Sequence, residues 1–236
     1  MIRIEQKYER LIDEILTEQN KKEREEYVSS GRLSASMLGS PLQWQVLHHY
    51  RIPPREIDPY TLRKFKRGKD IEDWFTKLIK PESQQVKAEY RGCIGYIDAM
   101  VDTISNDYDL GVIPHEIKSV TNAKFKRIIS QTGADHGHIL QACYYAMATN
   151  RKEFAIVYIA SDDLRTKTYI YQTEEFRQTV DDIITRYDKQ IESGIVPIFE
   201  PVEKWQESIK YNNYPDWLAL TQEEINLKIM PYQLGQ

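Results

Sequence analysis

Cysteine is almost missing from this chain: of 236 residues only Cys93 and Cys143 carry thiols, and neither sits in a CxxC pair. That excludes a disulfide framework and argues against a zinc site. Both thiols are expected to be buried and free. Long hydrophobic runs are missing too; none approaches the roughly 20 residues that span a bilayer. The opening MIRIEQKYERLIDEIL lacks the apolar core and cleavage site of a signal peptide. A cytoplasmic protein with no membrane partner is expected. There is also no large excess of either charge. The net value of −4 does not by itself indicate a nucleic-acid binder. Positive charge is clustered instead, in RKFKRGK (Arg63, Lys64, Lys66, Arg67, Lys69) and in KFKR (Lys124, Lys126, Arg127). Alone, such runs are ordinary solvated faces.

What is present fits a soluble globular chain, with 41% hydrophobic and 29% charged residues. Ile4, Tyr8, Leu11, Ile12 and Ile15 recur at helical spacing, so an amphipathic helix opens the chain and trails into a solvated KKEREE. Ser40-Pro41 and Asp58-Pro59 each read as a cap followed by proline in the first helical turn. The second helix ends before Pro81. Three strand-like runs follow, QQVKAEY (84–90), CIGYIDAMVDT (93–103) and VIPHEIKSV (112–120), with turns at Gly92 and SNDYDLG. A basic irregular segment then leads to a helix near 136–149, strands at 154–160 and 167–172, and a long helix near 174–192. Thr221 and Glu224 suit a capping box for a last helix. The order predicts an α/β fold, a mixed central sheet flanked by helices. One domain is expected: an N-terminal helical extension (1–33), a core (34–195) and a C-terminal helical tail (196–236).

Two strands carry charges where apolar residues are the norm. In GYIDAMVDT, period two groups Ile94, Tyr96, Asp98 and Met100 on one face and Gly95, Ile97, Ala99 and Val101 on the other. An aspartate there is costly to bury unless something pairs with it, and a cation would remove the penalty. In VIPHEIKSV, Glu116 and Lys118 share a face while Ile117 points away. Two carboxylates and an ammonium suit metal-dependent phosphodiester hydrolysis: the acids hold the ion, and the lysine orients water or offsets developing charge. Oxygen donors favour Mg2+ or Mn2+. A lone E-x-K is far more often an ordinary ion pair, so the neighbouring features decide.

GYIDAMVD followed by HEIKS resembles the central pattern of the PD-(D/E)XK nucleases. HILQACYYA adds Gln141 and Tyr145, similar to the QxxxY motif of RecB-like and CRISPR-adaptation members, with His138 one turn earlier. RGKDIEDWF resembles the helix bearing the first family motif and offers Glu72. The resemblance spans roughly 34–172 and implies a restriction-endonuclease-like core. Its implied catalytic residues are Asp98, Glu116, Lys118, Gln141 and Tyr145, with Glu72, Asp98, Glu116 and Ile117 around the metal. Gln43 stands where iron–sulfur members place their first cluster cysteine, and the tail holds no cysteine, so no such cluster is expected.

On this resemblance the expected activity is that of a deoxyribonuclease, an exonuclease or DNA-end-processing enzyme on linear or single-stranded DNA. Arg63, Lys64, Lys66, Arg67, Lys124, Lys126 and Arg127 would meet backbone phosphates. A recombination, helicase or CRISPR-integrase partner belongs to the same implication. The alternatives are a structure-specific or restriction-type endonuclease and a non-catalytic DNA-binding module.

Overall fold

The computed structural model describes residues 7–26, 29–105, 108–131 and 133–233. Helix α1 (Lys7–Glu26) continues through KKEREE, which is helical and mostly exposed. Ile4 of the expected stripe lies outside the described residues. The stripe itself is not what docks: Tyr8, Leu11, Ile12 and Ile15 are all exposed. Polar anchors hold the helix instead. Glu9 and Asp13 pair with Arg63, and Arg24 donates to the carbonyls of Pro54 and Arg55. Helix α2 (Leu42–His49) starts one residue later than expected; Pro41 occupies the cap position and Ser40 does not cap it. Helix α3 (Pro59–Ile79) starts where expected, with Asp58 accepting from the Thr61 amide at 3.0 Å.

Strands β1 (Ser83–Tyr90), β2 (Cys93–Ser105), β3 (Tyr108–Val120), β4 (Glu153–Ala160) and β5 (Thr166–Gln172) form one sheet in chain order. All neighbours are antiparallel except β3 and β4. The β2–β3 hairpin is longer than SNDYDLG suggested, since both strands pair as far as Ser105 and Tyr108. The parallel step needs a crossover, which helices α4 (Asn122–Ser130) and α5 (His136–Ala148) provide. KFKR therefore lies on a helix, not in an irregular segment. Thr121 supplies its cap through the Lys124 amide.

The central strands of the sheet are covered on both faces, while β1 and β5 are largely exposed. One face packs under α5 and α6 (Glu174–Glu192), around Tyr144, Phe154, Ile156 and Tyr158. On the other face Ala99, Ile117, Val157 and Ile159 meet Ile71, Phe75 and Ile79 of α3. A separate apolar cluster joins Trp44, Leu47 and Tyr50 of the α2 region to Val196, Tyr214, Trp217, Ile225 and Ile229 of the tail. The tail ends in α7 (Gln222–Gln233), entered through the expected Thr221–Glu224 box. Inside this seam the Gln43 side-chain amide donates to the carbonyls of Pro197 and Trp217, at 3.1 and 3.5 Å. Among the described residues no helix is long and apolar enough to cross a membrane.

Candidate active site

The β2–β3 ladder runs in register as far as Ala99 opposite His115. One more step would set Asp98 against Glu116, but there the two strands part. Parting strands leave backbone donors on the opened edge, and buried donors must be satisfied. Two carboxylates take them. Asp98 Oδ2 accepts from the Ile117 amide at 2.9 Å, and Glu72 Oε1, reaching from α3, accepts from the Ser119 amide at 3.1 Å. The same split breaks the strict alternation expected along β2. Ile97 and Met100 both join the core under α5, whereas Ala99 and Val101 pack toward α3. The slip falls at Asp98.

Glu116 is the most confined acid of the group. Its side chain has no solvent exposure, and it forms an ion pair with Lys118. Beyond that ammonium, neither carboxylate oxygen has a hydrogen-bond partner among the described residues. Burial pushes the Glu116 carboxyl up to about 8; the charges of Asp98 and Glu72 add to the rise, and Lys118 opposes it. For Lys118 burial acts to lower the pKa, but Glu116, Asp98 and Glu72 outweigh it and hold the ammonium above its ordinary value. Lys118 is thus protonated throughout the neutral range. Glu72 is also shifted upward by burial.

Helix α5 closes the site from the other side. Gln141 donates to the Tyr145 hydroxyl at 3.1 Å, and both are buried. Burial, then the nearby Glu116 charge, raises the Tyr145 hydroxyl pKa well above its ordinary value. The Tyr145 ring lies against β2 only because residue 95 is glycine: a Cβ there would stand 2.6 Å from the ring. One turn earlier, His138 Nδ1 meets the Tyr158 hydroxyl at 2.8 Å, and Tyr158 is the β4 partner of Lys118. Since that hydroxyl already accepts from the Asp135 amide, it is free to donate its own proton to His138. Burial, followed by the charges of Lys118 and Lys124, drives the His138 pKa down to about 3. Between about 3 and the ordinary 6.5 the unfolded chain binds a proton that the folded chain refuses. Stability should therefore fall as pH drops through that window. His138→Asn should show a shallower loss in urea melts between pH 6.5 and 4; equal slopes would contradict a buried neutral imidazole.

A groove of about 660 Å3 opens beside this cluster, between α3 and the sheet. Lys64, Phe65, Lys69, Glu72, Asp73, Gln85, Asp98, Ile117 and Ser119 line it. Of the seven cations expected to meet phosphate, Lys64 is in this groove. Lys66 lines an adjoining groove toward α1 and pairs with Asp70. Arg63 is held by α1, Lys124 and Arg127 both pair with Asp135, and Arg67 and Lys126 are exposed. Phe65, Gln85 and Ser119 had no signal in the sequence, because their relevance depends on which face of the split sheet they reach.

Among the described residues no three His, Cys, Asp or Glu side chains are grouped so as to hold a metal ion. The donor set on offer is smaller: the Asp98 and Glu116 carboxylates on facing strands, with Ile117 able to contribute only its main-chain carbonyl. The fully buried Glu116 oxygens fit a hard cation, since among the described residues only the Lys118 ammonium pairs with them. Glu72 has one oxygen committed to Ser119.

No family model matches this chain, and no curated protein matches it. Solved structures do. An alkaline exonuclease, LHK-Exo, from Laribacter hongkongensis superposes over 70% of this chain and 90% of its own, with TM-score 0.51 and 12% identity. The structure of SSO0001 covers 89% of this chain and 98% of its own, with TM-score 0.57 and 17% identity. At these identities the likeness establishes the fold: an α/β architecture that a nuclease also uses.

Proposed function

We propose that this chain is a divalent-metal-dependent deoxyribonuclease with Asp98, Glu116 and Lys118 at its centre. The observation that carries the reading is Glu116: a fully buried carboxylate whose sole partner among the described residues is Lys118, next to Asp98 where the strands separate. A chain built for stability alone would gain little from that arrangement, because apolar replacement of buried ion pairs is often neutral or favourable. Asp98, Glu116 and the Ile117 carbonyl would hold Mg2+ or Mn2+. When bound, such a cation polarises a phosphoryl oxygen and eases deprotonation of the attacking water.

The chain's own groups do the rest. Lys118, kept protonated by its three acidic neighbours, serves as a positive charge and hydrogen-bond donor toward water or the pentacovalent phosphate, not as a general base. Asp98 is fixed by the Ile117 amide and Glu72 by the Ser119 amide, so neither must reorganise. Gln141 and Tyr145 close the buried side and limit water there. Lys64 and Lys69 offer charge to backbone phosphates along the open groove. The fold is shared with an alkaline exonuclease, which favours DNA as substrate and cutting from an end.

The test is cleavage of end-labelled linear DNA, single- and double-stranded, with Mg2+, Mn2+ or EDTA, beside a covalently closed circle. Loss of label only with metal supports the reading, and the product ladder gives the polarity. Cutting of the closed circle would move the assignment to an endonuclease. DNA binding with no metal-dependent cutting would make the chain a binding module.

A further inference from the structure

One residue in the groove is strained, exposed and unexplained by packing. Gln85 lies inside edge strand β1 with φ 49°, in the left-handed region. For a residue other than glycine, asparagine or aspartate that conformation costs about 1–2 kcal/mol. Strain of this kind is concentrated at functional sites, and of the non-glycine residues with positive φ only Gln85 lines the groove. The ladder pairs Gln84 with Ala99 and Val86 with Ile97, which sets Gln85 directly across from Asp98, the point at which β2 slips. The two irregularities are one feature: β1 and β2 turn together, and both Gln85 and Asp98 line the groove with Glu72, Ile117 and Ser119. Among the described residues the exposed Gln85 carboxamide has no hydrogen-bond partner, so its side chain is available to a ligand in the groove.

Its chemistry suits the place. A lysine or arginine there would pair with Asp98 and compete with the cation. A carboxylate would repel the phosphate. An amide donates to an anionic oxygen without doing either. We propose that Gln85 positions the substrate, its Nε2 donating to a non-bridging oxygen of the phosphate that approaches Asp98, and that the left-handed turn in β1 brings it there. The proposal rests on the nuclease reading above.

The experiment compares parent, Gln85→Gly, Gln85→Asn and Lys118→Ala on DNA carrying one phosphorothioate of defined stereochemistry at the cleaved position, with thermal melts of each protein. Glycine removes both the amide and the strain, so Gln85→Gly should melt at or above the parent. It should cleave at least about tenfold more slowly, the scale of one hydrogen bond to a charged oxygen. Gln85→Asn, which tolerates a positive φ and keeps a shorter amide, should fall between. In one diastereomer sulfur replaces the accepting oxygen; that substitution should slow the parent and have a smaller effect on Gln85→Gly. A purely structural role would leave this coupling unchanged between the two proteins. Parent-like cleavage by Gln85→Gly, or equal thio effects in both, overturns the proposal while the nuclease reading stands, provided Lys118→Ala is impaired. A parent that cuts no DNA with either metal overturns both.

Discussion

Lys118→Ala should fold, bind DNA almost as the parent does, and cleave about 10²–10³-fold more slowly, the range seen when one preorganised charge stabiliser is removed. Truncating one partner of a buried pair normally destabilises by about 3–5 kcal/mol because a charge is left behind. Here the loss is smaller, since burial already raises the Glu116 pKa and the carboxylate left without its ammonium escapes by taking up a proton. The variant is thus a mild folding lesion and a severe catalytic one. Lys118→Met, which keeps most of the volume, controls for packing. Single-turnover cleavage beside a DNA-binding titration separates the two effects. A Lys118→Ala protein that cuts at the parental rate removes the residue from the mechanism, and one that loses binding in proportion to rate reassigns it to substrate affinity.

Glu116→Gln should abolish metal-dependent cleavage and remove two solution properties of the parent. With EDTA present, the parental carboxyl holds its proton when folded up to about pH 8 and releases it near its ordinary 4.5 when unfolded. The folded state binds more protons across that window, so parental stability declines as pH rises through it. Glutamine has no proton to lose. The difference in stability between variant and parent should therefore grow in the variant's favour from pH 5 to 8, reaching the order of a few kcal/mol. Adding Mn2+ should do the opposite. A ligand that binds only the folded state at about 100 times its Kd adds roughly 2.7 kcal/mol to the parent, and the variant should gain little. Thermal melts across pH, with and without metal, read both effects. If Mn2+ raises the melting temperature of both proteins equally, Glu116 is not a ligand.

Much of the architecture was legible because it rests on local chemistry. Asp58-Pro59 marked its helix since an aspartate cap and an N1 proline act within one turn. The five strands were readable from apolar runs bounded by polar turns, and the expected mixed sheet is the one found. The residues Asp98, Glu116, Lys118, Gln141 and Tyr145 do converge, because E-x-K on a strand and Q-x-x-x-Y on a helix carry their own periodicity. What escaped depends on partners distant in sequence. Helix α4 was missed because Lys124, Lys126 and Arg127 outweighed the Thr121 cap and the single apolar edge of Phe125 and Ile128. The slip at Asp98 was invisible because alternation assumes an unbroken ladder, and only the parting of β2 from β3 ends it. The first helix misled in the reverse direction. Its amphipathic spacing marked the helix, but the apolar stripe stays exposed and Arg63 and Arg24 fix the helix by its polar side.

The seam between α2 and the tail has a consequence for how this protein would age and be handled. Gln43, where the sequence resemblance implied a cluster cysteine in other members, clasps two tail carbonyls amid aromatic and aliphatic packing. A fastening made of amide and hydrocarbon has no oxidation state. It does not wait on iron delivery, does not bleach in air, and is not released by a chelator or restored by a reductant. Its weakness is thermal: apolar contacts lose ground to chain entropy on heating and to hydration on cooling. The tail should come loose by temperature where a cluster-bound one would come loose by chemistry.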